Sequence, residues 1–237
     1  MQPQKTYKYL TLLCMFYLTA DLLSLVLTYK FIQFGSIFLS TEALVFPLTY
    51  TITDIIAEVY GYAEARRIIW LVFLCDFIFA LSLYFLIQIP SPNQHIQSVY
   101  HDAFSSLLRG TIAEVVGVLA GIFINIYAIS KLKIFTRGKY FWLRSIGSSL
   151  IGEAILVIIS MPILFSNVVS GSNLVKIIVF TYSYKIIFAI TMALPATAIV
   201  MLLKRKENVD VYDHGVNFNP FELTTTPIKK IDGYEAI

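Results

Sequence analysis

Apolar residues run along this chain in long blocks, without the short alternation that a soluble fold shows. A block of about 20 mainly apolar residues is long enough for a helix that crosses a bilayer. Six segments meet that length: Tyr9 to Tyr29, Ile37 to Ile56, Ile68 to Ile89, Gly110 to Ser130, Leu143 to Phe165 and Leu174 to Leu203. The second is the least apolar, since it holds Glu42, Pro47, Asp54 and four Thr. It still reads as a span, because without it the remaining count fits the charge pattern badly. The first resembles a signal peptide, with Lys5 and Lys8 ahead of an apolar run. That run is longer than a usual signal core and more spans follow, so it reads as a retained helix. The stretch from Pro90 to Arg109 is the one long connection, and a surface helix or lid is expected there.

Composition agrees. Of 237 residues, 57% are hydrophobic and 14% charged, and the mean hydropathy is +0.74. A soluble domain carries about 25% charged residues. A disordered chain, a disulfide scaffold and an ordinary soluble enzyme are excluded. The expected fold is all-α, a polytopic membrane protein with six transmembrane helices. Residues 1–203 form the transmembrane domain, and residues 204–237 read as a flexible polar cytoplasmic tail. Cys14 and Cys75 lie in apolar runs and read as packing residues.

Charge sets the orientation. One set of ends carries Lys5, Lys8, Arg66, Arg67, Lys131, Lys133, Arg137, Lys139, Lys204, Arg205 and Lys206; the other carries Lys30, Arg109 and Lys176. That asymmetry puts both termini in the cytoplasm. A net charge of +3 is too weak to argue for nucleic acid.

Polar residues inside apolar runs are the candidate chemistry. A lone charge at the bilayer centre costs about 2.5–3.5 kcal/mol on insertion scales, so such groups face a cavity, a partner or the interface. Glu114, Gly117, Gly121 and Asn125 share one helix face, either as a packing seam or as one wall of a polar site. Glu153 is too deep to reach water easily, and serves either substrate or proton coupling, or a structural pair. Lys185 is equally deep, with Glu153 and Glu114 as candidate partners. Tyr182 lies on the same face as Lys185, and Pro195 should loosen that helix. Glu42, Phe46, Thr49 and Thr53 also share a face able to line a cavity. Asp54 and Glu58, before a turn at Gly61 and the pair Arg66 and Arg67, can form a charge clamp, static or gating. His95 and His101 lack further clustered ligands, so no metal site is expected. The sequence contains no P-loop, no HExxH, no GxSxG and no dinucleotide-binding turn. No enzyme chemistry and no cofactor is therefore expected.

Pro47, Thr53, Asp54, Gly61, Ala65, Arg66 and Arg67, then Arg109, Gly121, Asn125, Gly152, Tyr182, Lys185 and Pro195, stand in an order and spacing that resembles the bacterial queuosine-precursor transporter family (the YhhQ, or Vut-type, vitamin-uptake family). The resemblance covers about residues 9 to 203. Many relatives carry Asp where this chain has Asn125 and Leu156, and Glu153 lies one helical turn from Leu156. The resemblance implies a bundle similar to vitamin-binding S-components in the bacterial inner membrane. It implies import of a 7-deazaguanine, such as 7-cyano-7-deazaguanine, 7-aminomethyl-7-deazaguanine or queuine, for tRNA queuosine salvage. On that reading Glu153 or Glu114 receives the base edge. Asn125 and Lys185 bond other ring atoms or hold the acid, Tyr182 stacks, and Arg109 belongs to the binding set. Asp54 with Arg66 and Arg67 acts as a cytoplasmic gate. Two transport modes remain open: a self-sufficient importer driven by an ion or proton gradient or by product trapping, and a substrate-binding S-component that needs an ATP-driven energising partner.

Overall fold

A computed structural model of the chain describes residues 7–35, 37–165 and 169–222. Among them are seven α-helices: α1 (Leu10–Leu27), α2 (Pro47–Tyr60), α3 (Tyr62–Leu86), α4 (Gln94–Phe104), α5 (Leu107–Phe135), α6 (Phe141–Phe165) and α7 (Gly171–Glu207). Two short strands, β1 (Phe31–Phe34) and β2 (Ile37–Ser40), pair antiparallel. Five helices, α1, α3, α5, α6 and α7, are long and apolar enough to cross a membrane. Their outer faces carry exposed Met15, Phe16, Phe85, Ile158, Ile187 and Leu194, as expected of a surface facing lipid.

The expectation of one spanning helix over Ile37 to Ile56 is corrected. That segment starts as β2, passes through a 3-10 turn at Thr41–Leu44, and becomes helical at Pro47. Its local chemistry explains the break. Aromatic and β-branched residues flank Gly35, whose φ of 59° permits the hairpin turn. The Ser40 hydroxyl accepts from the Glu42 N–H and starts the 3-10 turn. Pro47 then opens α2, where its missing N–H costs nothing. At 14 residues α2 is about 21 Å long. It is also the most enclosed helix, with only Leu48 and Thr51 not buried. It packs against α1, α3, α5, α6 and α7. A polar segment is tolerated here because its surroundings are protein, not lipid.

Helices α5 and α6 make the closest pairing. A Cβ on Gly121 would lie 2.6 Å from the Gly152 carbonyl oxygen, and one on Gly152 would lie 2.7 Å from that of Gly121. The glycine face of α5 is thus a packing seam that brings two backbones together. Pro195 lies inside an unbroken α7. The stretch from Pro90 to Arg109 holds the exposed surface helix α4, capped by Asn93, whose side chain accepts from the His95 and Ile96 N–H groups.

The tail differs from the free extension expected of it. Residues 204–207 complete α7, and residues 208–222 form a strap across the end of the bundle where α2 meets α3. Val211 N–H donates to the Val59 carbonyl at 3.2 Å. The Asp213 carboxylate accepts from the Tyr62 N–H at 3.0 and 3.1 Å, at the start of α3. Arg66 donates to the carbonyls of Asn217 and Asn219 at 2.9 and 2.6 Å. Trp70 Nε1–H donates to the Pro220 carbonyl at 2.7 Å. Gly61, at φ 90°, lets the strap approach: a Cβ there would meet Val211 at 2.8 Å and Asp213 at 2.9 Å. Residues 223–237 lie outside the described residues.

Candidate functional site

Glu153 stands twelve residues into α6 and Lys185 fourteen residues into α7, so both sit near mid-bundle. Lys185 Nζ lies 2.8 Å from Glu153 Oε2, and the two side chains are 1% and 4% exposed. The ammonium also lies 4.3 Å from the centre of the Phe46 ring, a cation–π contact from the turn before α2. Two buried charges persist together because each offsets the desolvation of the other. A cavity of about 10 Å³ opens beside them, lined by Pro47, Tyr50, Ser145 and Ser149 as well as the pair. That is room for one water at most.

One turn further along α2, Asp54 is fully buried. Its carboxylate accepts from Ser145 Oγ at 2.5 Å, Asn125 Nδ2 at 2.6 Å and Ser149 Oγ at 3.5 Å. Asn125 is therefore a donor to Asp54; an Asp in its place would put two carboxylates face to face.

A second cavity, of about 20 Å³, lies on the hairpin side of Phe46. Glu42, Glu114, Leu156 and Ser160 line it. Glu42 is 6% exposed, and its Oε1 has no hydrogen-bond partner among the described residues. Near it, Asp21 of α1 and Asp76 of α3 are buried neighbours, and Asp76 Oδ1 has no hydrogen-bond partner among the described residues.

At the opposite end, which carries most of the basic residues, the buried acid is matched by cations. Glu58 receives Arg144 at 2.7 and 3.1 Å and Lys204 at 2.6 Å. Lys133 donates at 2.6 Å to the Glu58 carbonyl, to Asp210 and to the Val211 carbonyl. Burial pushes the Asp213 carboxyl above its usual range, and the Tyr62 N–H acts against that shift.

Glu153 and Lys185 are thus together, and Glu114 is across Phe46, unpaired with Lys185. Tyr182 is half-buried, and its hydroxyl donates to the Leu150 carbonyl at 3.0 Å, tying α7 to α6. Arg109 donates to the Ile163 carbonyl at 3.0 Å and lines neither cavity. Asp54 is not brought together with Arg66 and Arg67: Arg66 holds the strap and Arg67 is exposed. The acid of the clamp is Glu58, and its cations come from α5, α6 and α7. Among the described residues no group of three His, Cys, Asp or Glu is placed to hold a metal ion. Asp21 and Asp76 were not singled out from sequence, although each is a lone carboxylate inside an apolar run, the same signal that marks Glu153.

Residues 41–200 match the family described as "Putative vitamin uptake transporter". The chain belongs to this family. It is a multi-pass membrane transporter, and the matched region runs from the 3-10 turn to the last turns of α7, stopping short of the strap. It is similar to a protein of Bacillus subtilis (strain 168) named "Probable queuosine precursor transporter", with 25% identity over 177 residues, 73% of this chain and 71% of that protein. No solved structure matches the chain.

Proposed function

We propose that this vitamin uptake transporter imports a 7-deazaguanine, such as 7-cyano-7-deazaguanine, 7-aminomethyl-7-deazaguanine or queuine, into the bacterial cytoplasm for queuosine salvage. The name of the Bacillus subtilis relative supports the substrate class. The observation that carries the reading is the buried Lys185–Glu153 pair at 2.8 Å. A guanine-type edge presents adjacent N–H donors beside a carbonyl oxygen. Glu153 accepts from the donors and Lys185 donates to the oxygen, so the base takes the place of the ion pair that the two make with each other. A base lacking that edge leaves both charges unmatched, which gives discrimination. The cavity beside the pair is too small for a ring, so α7 must move away from α2 and α6 before a base enters. Phe46 and Tyr50 then offer aromatic faces. Asn125 supports the site through Asp54, and Glu114 acts from across Phe46. Tyr182 and Arg109 hold α6 against its neighbours.

The basic end faces the cytoplasm of a bacterial inner-membrane protein. The 3-10 turn and α2 together make the sixth crossing. Glu58, Arg144, Lys204 and the strap close the cytoplasmic exit, the role first expected of Asp54, Arg66 and Arg67. The test uses cells unable to make queuosine precursors. The chain is expressed, each deazaguanine is supplied in turn, and tRNA is assayed for queuosine. Rescue by at least one base is expected, with loss in Glu153→Gln and Lys185→Met. Absence of rescue by every base, with the protein present in the membrane, rejects the assignment. Uptake by the purified chain alone in liposomes shows that no energising partner is required.

A further inference from the structure

Of the proposed bases, 7-cyano-7-deazaguanine is neutral, so the membrane potential alone does not concentrate it, whereas a co-transported ion can. The hairpin half of the bundle holds three buried carboxyl groups, Asp21 (α1), Asp76 (α3) and Glu42 (3-10 turn), and a half-buried fourth, Glu114 (α5). Among the described residues none of the four has an ion-pair partner. The groups that act on Asp21 are Glu114, Asp76 and Glu42, with Tyr17 beside it on its own helix and Tyr50 of α2 beyond Tyr17. Those acting on Glu114 are Glu42, Asp76 and Lys185. Lys185 and Glu153 act on Glu42. The one cation in this set, Lys185, is already matched by Glu153.

Two carboxyl groups buried side by side without a cation do not both ionise, so one of them carries a proton. A second observation points to the same ligand. Glu42 Oε1 is buried without a partner among the described residues and faces a cavity of about 20 Å³, enough for a water that could deliver a proton. We infer that Asp21, Asp76, Glu114 and Glu42 form a proton-binding site of the transport cycle, and that a proton enters the cell with each base. Glu42, Glu114 and Phe46 line one cavity, and Lys185 Nζ lies 4.3 Å from the centre of the Phe46 ring, so the proton site adjoins the base site. The proton adds to a carboxylate oxygen from the outer side and leaves to water on the inner side, and no other bond changes. The cotransport half of this inference rests on the proposed import of a base; the binding half does not.

Two measurements test it on the full chain. The first needs no base. Infrared spectra of the purified protein in lipid at neutral pH should show a protonated carboxyl C=O band, reduced in Asp21→Asn and Asp76→Asn. Each variant keeps one carboxyl and supplies an amide donor for it, so the contact between α1 and α3 survives. Absence of the band in the wild type, or its persistence undiminished in both variants, overturns the site. The second uses proteoliposomes and labelled 7-cyano-7-deazaguanine. A gradient of one pH unit, acid outside, should drive up to about tenfold accumulation for one proton per base. In Asp76→Asn the ratio of gradient-driven accumulation to counterflow should fall about tenfold. Accumulation indifferent to the gradient, or favoured by acid inside, overturns the cotransport. If the wild type moves no base while the carboxyl band behaves as expected, the substrate reading fails and the proton site stands.

Discussion

The two halves of this bundle treat buried acid in opposite ways. At the strap end, Glu58 is surrounded by Arg144, Lys204 and Lys133, and Asp210 shares two of those cations. At the hairpin end, Asp21, Asp76, Glu114 and Glu42 have none of their own among the described residues. A buried carboxylate must be matched by a cation or take up a proton. The first solution fixes helices against one another; the second leaves a group whose charge can change during a cycle. Lys185 and Glu153 lie between the two, a matched pair inside a site that has to open.

The comparison is broken or sharpened by substitution at each level. Glu58→Ala should cause the largest loss, about 5 kcal/mol, since it strands several cations in the interior. Thermal unfolding in lipid or detergent measures it, and a loss under about 1 kcal/mol would mean that the strap end is not the lock. Lys185→Met should cost about 3 kcal/mol, because Glu153 can limit the damage by protonating. Adding Glu153→Gln should restore most of that stability and no uptake, so stability and transport separate in one double-mutant cycle. Asn125→Asp should cost about 2 kcal/mol by setting a carboxyl against Asp54 in place of a donor. Trp70→Phe removes one hydrogen bond to the strap and should cost about 1 kcal/mol. Its better readout is faster proteolysis of residues 208–222 with the helices intact. Asp21→Asn should cost least, under about 1 kcal/mol, since its amide keeps the contact with Asp76. A large loss there would show that the hairpin-end acids are structural after all.

How much of this was legible in the sequence follows the same division. The five long helices were readable because lipid-facing helices advertise themselves by uninterrupted apolar length. The second segment was not, because hydropathy reports exposure to lipid, and α2 is shielded by its neighbours. The apolar stretch around Gly35 also has the length of a span's beginning, and only strand pairing shows that it folds back on itself. Glu153 and Lys185 were readable as a pair, being opposite charges at matching depth. Glu58 and Arg144 were harder, since the two are separated by 86 positions and Arg144 stands at a helix edge. The strap was hidden for a different reason. It is held largely through the backbone carbonyls of Asn217, Phe218, Asn219 and Pro220. Every residue has such a carbonyl, so a polar stretch that docks reads the same as one that floats in water.

The strap has one more consequence, for biogenesis. In order of synthesis, residues 208–222 come after every helix they touch. A nascent chain that has inserted α7 but not yet released this segment leaves Arg66, Lys133 and Trp70 without their strap partners. Membrane proteases and chaperones thus meet an unsealed intermediate during a short interval, and docking of residues 208–222 ends it.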